Sequence, residues 1–455
     1  MLYGRTSHLT FVPPSGLALL WAAALSILAA CAASMAHVLA ELAPSLGLGV
    51  APFVGSARGI AVALGVIVGA LLVFAVVWRC VEPPRLILRR QVRRAIADPR
   101  NGNPLHLRDG QRVPVVSCTD GKSRGRYTVQ LTTAGITPER AEAATSAISA
   151  CLTGRYDRFM VASTTADVAC SYIRLTVEDT ALDWTICADS VADLVSGSPY
   201  LLRIDRRTAI DLRTSTSLLV AGRTRSGKTY GIVSLLLQVL AAGPDRYGSR
   251  VSIIDPKSAE LSCLPGVVSP GLDGDMTAVL DAMRSFNDLR IERQKRLNEL
   301  SKETGAAGKW WEAGMHISLL FIDEYVACRG MLSEKSQLTE FDTLLRQIVT
   351  MGASAGCYAI ICIAQASVGA GGLPSMVQNA CTTRVLFRPT PDDARLMWPD
   401  GMANVPARDY CQGAALFTTD DGIHSQPTPV QFPAMAFSEM AELRRLLEEY
   451  GAGVV

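Results

Sequence analysis

The 455-residue sequence has little excess charge, few histidines and no paired cysteine motif. Its 44 Lys and Arg residues against 42 Asp and Glu residues leave a formal net charge of only +2. The overall charge therefore gives no evidence for a nucleic-acid partner, and any basic surface must be local. The twelve cysteines include no C-x-x-C pair, and the five histidines are not at ligand spacing to them. This pattern indicates neither a disulfide framework nor a zinc site.

Charge is also missing from two long apolar runs near the N-terminus. Residues 16–40 carry no formal charge, and residues 59–78 are almost purely aliphatic. Each run reaches the ~20 apolar residues that a helix needs to cross a bilayer, so we expect two transmembrane helices there. Buried helices of a soluble protein rarely continue so far without a charge. A lipoprotein signal peptide cleaved before Cys31 is an open alternative for the first run.

Positive charge is concentrated directly after the second run. The arginines concerned are Arg79, Arg85, Arg89, Arg90, Arg93 and Arg94. The connector at 41–58, in contrast, contains only Arg58 and Glu41 as charged residues. Because cytoplasmic flanks of membrane spans are enriched in Lys and Arg, we expect a multi-pass protein whose C-terminal part is cytoplasmic. Binding of anionic headgroups or nucleic acid is an open alternative role for these arginines.

The pattern of apolar segments divides the chain into four parts. Residues 1–95 form the membrane anchor, and mixed strand and helix signals predict a small α+β linker domain at 96–200. From 201 to 425, short apolar strands alternate with long helical stretches, which is typical of a parallel sheet covered by helices on both faces. Residues 426–455 are expected to form a C-terminal tail with one helix. The strands predicted for the third part are 217–221, 251–254, 317–322, 358–364, 384–387 and 414–418.

The strongest motif lies between the first of these strands and an apolar helix. It matches the pattern G-x-x-x-x-G-K-[ST] and reads Gly222-Arg223-Thr224-Arg225-Ser226-Gly227-Lys228-Thr229. In this context, backbone N–H groups of the loop and of the helix N-terminus bind nucleotide phosphates. Lys228 is expected to reach the β and γ oxygens and Thr229 to bind Mg²⁺. Tyr230 is included in the predicted ATP-binding segment.

A second motif ends the third predicted strand. The apolar run 319–322 is followed by two carboxylates, Asp323 and Glu324. We expect Asp323 to bind the magnesium shell, and Glu324 to orient and deprotonate the attacking water. The alternative is that the pair only caps the helix that follows.

Two further polar residues at strand ends leave their role open. Gln365 follows the fourth predicted strand, where it either senses the γ-phosphate or is a solvent-facing strand end. Asp255 follows the second strand, where it either supports the magnesium shell or starts the turn that Pro256 enforces.

Taken in chain order, these motifs resemble the motor domain of the FtsK/SpoIIIE family of bacterial DNA translocases. The resemblance covers about 200 residues. Besides the phosphate loop and its strand, it rests on Ile254-Asp255-Pro256-Lys257 with Glu260-Leu261, a helix carrying Arg290, Glu292, Arg293 and Asn298, the strand ending in Asp323-Glu324, Met351-Gly352 with Ala355-Gly356, Gln365, and Arg384-Val385-Leu386-Phe387.

The resemblance implies a RecA-like motor that assembles as a ring, usually a homohexamer, and threads double-stranded DNA through its pore as ATP is hydrolysed. Contacts to the DNA are then expected with its backbone, with little sequence specificity. A neighbouring subunit must supply an arginine to each ATP site, and Arg384 and Arg346 are the candidates. The chain has Ala353 and Ala366 where family members have arginines. Its differences from the family pattern are therefore expected at this subunit interface.

Two spans, one small domain and one motor also resemble the coupling or transfer ATPases of Gram-positive conjugative elements. We therefore predict a membrane-anchored, ATP-driven DNA translocase of the bacterial plasma membrane that acts in conjugation, with a relaxase or other transfer proteins as partners. The alternatives are a divisome-type chromosome translocase, a protein-export ATPase of the same superfamily and a nucleotide-binding scaffold without turnover.

Overall fold

The computed structural model divides into two compact units, Met1–Asp179 and Thr180–Val455. The residues that it describes are 14–46, 51–97, 103–108, 111–121, 125–133, 135–167, 171–270, 274–364, 372–398, 405, 410–420, 424 and 427–452.

Two long helices open the first unit, α1 (Pro14–Leu46) and α2 (Ala51–Val81). They contain apolar stretches of 28 and 20 residues, Ser15–Leu42 and Gly59–Trp78. Both stretches have the length and composition that a membrane-crossing helix requires. The two predicted spans are thus confirmed as long apolar helices.

Small side chains occupy the buried positions of this helix pair. Ala22 and Ala36 in α1 and Ala75 in α2 are at most 4% exposed, whereas Trp21 and Val66 are 63% and 68% exposed. A water-soluble helix pair places its large apolar side chains inside, which is the opposite arrangement. Small residues inside and large apolar residues outside are typical of helices that pack within a bilayer.

The third helix, α3 (Pro84–Ala97), contributes to the core of the small domain. Leu88, Val92 and Ile96 of this helix are fully buried in one cluster with Val129 and Leu175. The remaining elements of the domain are β1 (Val116–Asp120), β2 (Arg126–Thr132), α4 (Pro138–Ala143), α5 (Thr145–Ala150), β3 (Phe159–Ala166) and β4 (Tyr172–Asp179). The four strands form an antiparallel sheet in the order β1-β2-β4-β3. α3 thus crosses the boundary predicted between the anchor and the linker domain.

The second unit is built on one large sheet. It begins with the short elements β5 (Cys187–Ala188), α6 (Val191–Leu194), β6 (Leu201–Arg203) and β7 (Ala209–Asp211). The strands of the large sheet are β8 (Leu218–Gly222), β9 (Val251–Ile254), β10 (Val267–Val268), β11 (Ser318–Ile322), β12 (Cys357–Ile363), β13 (Thr383–Phe387), β14 (Ala414–Thr418) and β15 (Thr428–Gln431). The helices around it are α7 (Lys228–Ala241), α8 (Thr277–Thr304), α9 (Tyr325–Gly330), α10 (Lys335–Met351), α11 (Ser375–Ala380), α12 (Pro391–Met397) and α13 (Glu439–Ala452), and β16 (Ala434–Met435) pairs with β5.

The strand order is β10-β9-β11-β12-β8-β13-β14-β15. In this spatial order, all neighbouring strands from β10 through β13 are parallel to each other. β14 is antiparallel to β13, and β15 is antiparallel to β14. Leu218 and Val220 of β8 face a core shared with α7 and α13, and Leu219 and Ala221 face a core shared with α8 and α10. Helices on both faces of a mostly parallel sheet confirm the predicted α/β motor fold. In such sheets, ligands bind at the carboxyl ends of the strands.

The C-terminal segment that was predicted as a tail is built into this fold. β15 pairs with β14 at the edge of the sheet, where Pro429 is tolerated because an edge strand needs fewer backbone donors. α13 packs on α7, and its Leu443 and Tyr450 are buried in the same core as the sheet. Residues beyond 426 therefore form part of the motor.

Candidate nucleotide site

The predicted phosphate loop connects β8, in the middle of the sheet, to α7. Its glycines stand where a side chain does not fit: a Cβ atom at Gly222 would lie 2.8 Å from the Cβ of Phe387, and one at Gly227 would lie 2.7 Å from the backbone nitrogen of Gly413. Gly227 also has a left-handed backbone with φ 92°, which glycine adopts at no steric cost. The loop therefore turns tightly into the first turn of α7.

A cleft of about 580 Å³ lies against this loop. All loop positions from Gly222 to Tyr230 line it except Ser226, which is buried beneath. The first backbone N–H groups of α7 have no partner inside the helix and carry the positive end of its dipole. The cleft is thus shaped and polarised for an anion such as a nucleotide phosphate.

Asp323 reaches the cleft from the carboxyl end of β11. Its backbone N–H donates to the carbonyl of Ile254 at 3.0 Å, which fixes it beside the end of β9. Its carboxylate oxygen Oδ1 is buried and has no hydrogen-bond partner among the described residues. Burial raises the pKa of the Asp323 carboxyl, and the positive charge of Lys228 opposes that rise.

Glu324 is buried at 4% exposure next to Asp323. Its Oε1 accepts the backbone N–H of Ala364 at 3.0 Å, at the end of β12. Its Oε2 lies 3.2 Å from Nζ of Lys257 and 3.7 Å from Nζ of Lys228. Lys228 also lies 3.4 Å from the carbonyl of Ile363. The structure thus brings together the loop lysine and the two carboxylates that the sequence predicted.

These residues fit a magnesium nucleotide. The unpartnered oxygen of Asp323 offers the hard, negatively charged donor that Mg²⁺ prefers, and Thr229 lines the same cleft in the first turn of α7. Asp323 and Thr229 are the residues that would hold the ion. When bound, Mg²⁺ would offset the negative charge of the nucleotide phosphates.

Asp255 serves the turn after β9. Its Oδ1 accepts the backbone N–H of Lys257 at 3.1 Å, and its Oδ2 accepts that of Ala259 at 2.8 Å. The residue is fully buried. Of the two roles left open by the sequence, these bonds favour the turn, since both carboxylate oxygens are engaged by backbone donors.

The remaining predicted site residues lie away from these contacts. Gln365 is outside the described residues. Arg384 donates its guanidinium to the backbone carbonyls of Cys381, Gln378 and Met397, so in this chain it supports the ends of α11 and α12. Arg346 is exposed on α10. Supply of either arginine to a neighbouring subunit stays a prediction.

Three features of the cleft were not predicted from the sequence. Lys257 contacts Glu324, although the two are 67 positions apart. Glu439 and Met440, from the start of α13, line the cleft. The hydroxyl of Tyr230 donates to the carbonyl of Met435 at 3.1 Å and accepts its N–H, which ties the segment before α13 to α7. Lys257 stood in a recognised motif and Tyr230 in the predicted ATP-binding segment, but the contacts of both depend on tertiary structure.

Known proteins share the central part of the second unit. Residues 198–351 match the model of the FtsK/SpoIIIE family. Over 145 residues the chain is 29% identical to the FtsK domain-containing protein YdcQ of Bacillus subtilis, covering 32% of this chain and 28% of YdcQ. Over 136 residues it is 26% identical to the DNA translocase FtsK of Caulobacter vibrioides, covering 27% of this chain and 16% of that protein. The matches thus span less than a third of either relative.

A solved structure of the pCW3 conjugation coupling protein TcpA, in its monomer form with ATPγS, is similar with a TM-score of 0.45 and 15% identity. The similarity covers 79% of this chain and 99% of that one. The family match on residues 198–351 includes the phosphate loop, Lys257, Asp323 and Glu324. Residues 198–351 therefore form a P-loop domain similar to that of the FtsK/SpoIIIE family of ATPases.

Proposed function

We propose that the protein is a membrane-anchored ATPase that moves double-stranded DNA at the bacterial plasma membrane, and that it does so in conjugative transfer. The observation that carries the proposal is the single cleft that brings the phosphate loop together with Asp323 and Glu324. It lies in a domain whose family includes a relative named as a DNA translocase. The layout of two apolar helices, a small domain and one motor supports the conjugative role.

The side chains of the cleft have separate tasks in hydrolysis. Lys228 and the N–H groups of the loop hold the β- and γ-phosphates in line with the attacking water. Glu324 takes a proton from that water while the oxygen of the water bonds to the γ-phosphorus. The bond from this phosphorus to the bridging oxygen breaks, and ADP leaves with the electron pair.

A ring of identical subunits, expected to be a hexamer, completes each site. Arg346 is the stronger candidate for the arginine supplied by a neighbour, because its side chain is exposed. Arg384 is the weaker one, because its guanidinium already binds three carbonyls of its own chain. DNA contacts in the ring are made to phosphates, so binding weakens steeply with salt.

The membrane anchor places the motor at the site of transfer. α1 and α2 span the plasma membrane, and the arginines after α2 hold the motor on the cytoplasmic side. A relaxase bound to the DNA, or another transfer protein, is the partner expected at this position.

The proposal is tested with the full-length protein in detergent micelles. The ATPase rate is measured alone, with linear double-stranded DNA and with a secreted polypeptide of the host. We expect DNA to stimulate the rate several-fold, and the stimulation to fall between about 50 mM and 200 mM salt. Stimulation by the polypeptide without any response to DNA would instead identify a protein-export ATPase.

Two substitutions test the assigned chemistry. Lys228→Ala removes the charge that holds the phosphates, so we expect loss of nucleotide binding measured with a fluorescent ATP analogue. Glu324→Gln keeps the shape but removes the base, so we expect retained binding and a rate lowered by about 10²–10⁴-fold. Glu312→Gln, at a surface position 58% exposed, is the matched control. A normal rate in Glu324→Gln would refute the assignment of the base.

A further inference from the structure

Glu324 is contacted from the carboxyl ends of two neighbouring strands. Lys257 approaches its Oε2 from the turn after β9, at 3.2 Å. The backbone N–H of Ala364 donates to its Oε1 from the end of β12, at 3.0 Å. Glu324 follows the carboxyl end of β11, and β9 and β12 lie on either side of that strand, so the strand order itself produces this convergence. Both oxygens of the predicted base are therefore engaged.

The position of Lys257 is fixed through its backbone. The buried carboxylate of Asp255 accepts the N–H groups of Lys257 and Ala259, and Ser258 between them has a left-handed φ of 51°. The turn is thus held closely at the end of β9. The side chain of Lys257 itself is 52% exposed, whereas that of Lys228 is 12% exposed.

A general base needs an oxygen free to take a proton from water. An ammonium group on that oxygen stabilises its negative charge and occupies the place of the water. We infer that Lys257 is a positioning residue that restrains Glu324: hydrolysis requires the Lys257–Glu324 ion pair to break. This inference rests on the proposed function, in which Glu324 is the base.

The exposure of Lys257 suits a restraint that can be released. The Lys257 side chain is half exposed, so its ammonium group can move into water when the pair breaks, and the buried Glu324 then keeps Lys228 at 3.7 Å as a second positive neighbour. Lys228 is a different case, since it belongs to the phosphate loop and is mostly buried. Release of Lys257 leaves the loop and Asp323 in place, so it alters the base without altering nucleotide binding.

The test compares three variants of the full-length protein by kcat and KM for ATP without DNA. Lys257→Met breaks the ion pair and should raise kcat about two- to fivefold, because water around the half-exposed lysine weakens its hold on Glu324 to about that factor. KM should stay within about twofold of the wild-type value, as expected of a residue that acts through Glu324. Lys257→Arg keeps the pair and should keep the wild-type rate. Lys309→Met removes a lysine of equal exposure, 51%, from a surface ion pair with Glu312 and should change nothing.

A fall in kcat together with a rise in KM in Lys257→Met would overturn the inference, because Lys257 would then bind the nucleotide directly. An unchanged kcat, or an equal rise in Lys257→Arg, would overturn it as well. Failure of the proposed function would give a different result: DNA would not change the ATPase rate of the wild-type protein. The comparison of rates without DNA would still test the role of Lys257. If the wild type has no basal rate, appearance of one in Lys257→Met supports the restraint and its absence refutes it.

Discussion

At the scale of single residues, Asp323 carries its charge in a place that disfavours it. Burial raises the pKa of its carboxyl, and Oδ1 has no hydrogen-bond partner among the described residues. Because the folded state favours the protonated form, the group adds stability at low pH that is lost as the pH rises through its raised pKa. Burial therefore disfavours the charged form of Asp323 in the folded protein, and the positive charge of Lys228 offsets this only in part. Such charges are retained where a ligand needs them.

We therefore expect Asp323→Asn to raise the unfolding temperature of the protein at neutral pH when neither Mg²⁺ nor nucleotide is added. The same variant should lose most of the additional stabilisation that Mg²⁺ with ATP gives the wild type, because the ion loses a charged ligand. Thermal denaturation with and without ligand measures both effects. Asp288→Asn, an exposed position on α8, should change neither. A lower unfolding temperature in Asp323→Asn would contradict the account of its burial.

At the scale of elements, α8 is fastened to the sheet by a buried arginine. Arg293 is 2% exposed and donates to Oγ of Ser318 at 2.7 Å and to the carbonyl of His316 at 2.6 Å. Its guanidinium lies 3.8 Å from the buried carboxylate of Asp245. Ser318 is the first residue of β11, so this contact fixes α8 at the end of the sheet opposite to the nucleotide cleft.

Replacing Arg293 with Met should lower the free energy of unfolding by about 3–5 kcal/mol, because Asp245 is left without its positive partner in the core. Arg296→Met, three positions later and 46% exposed, should cost less than about 0.5 kcal/mol. Urea denaturation of both variants measures the difference. The backbone N–H groups of Tyr247, Ser249 and His316 also donate to the Asp245 carboxylate. Similar values for the two variants would show that these donors alone satisfy it.

The central strands were predictable because each is a short, continuous apolar run buried on both faces. All six predicted strands of the motor lie within one residue of β8, β9, β11, β12, β13 and β14. β10 has only two residues and β15 contains Pro429, so neither carries that signal. The packing of α13 on α7 depends on contacts between segments about 200 positions apart, which periodicity does not encode.

The same distinction applies to the nucleotide cleft. The phosphate loop and the Asp323–Glu324 pair are local patterns, and the sequence showed them. The contact of Lys257 with Glu324 depends on β9 lying beside β11, and the approach of Glu439 depends on how α13 packs. The carbonyl contacts of Arg384 likewise arise from two helix ends that meet only in the fold. Sequence patterns identify site residues that are close together in the chain. Contacts between residues that are distant in the chain can be identified only from the tertiary structure.

At the scale of the whole molecule, the distribution of charge and apolar surface predicts one orientation in the membrane. The outward faces of α1 and α2 are large and apolar, and arginines follow α2 but not α1. Since translocation of positively charged flanks is disfavoured, we expect the connector between the two helices to lie outside the cell and the motor to lie inside. Three exposed cysteines of the second unit, Cys187, Cys263 and Cys411, report on this orientation.

We expect a membrane-impermeant maleimide to leave these three cysteines unlabelled in intact cells and to label them after permeabilisation, in single-cysteine variants analysed by mass shift. Leu48→Cys, in the connector at 41–58, should be labelled in intact cells because the predicted orientation places this segment of the sequence outside. Cys31 is exposed on α1, where the predicted orientation surrounds it with lipid, and it should react in neither case because maleimides require an aqueous thiolate. Labelling of Cys263 in intact cells would place the ATPase outside, where neither ATP nor the DNA to be moved is supplied, and would refute both the orientation and the proposed function.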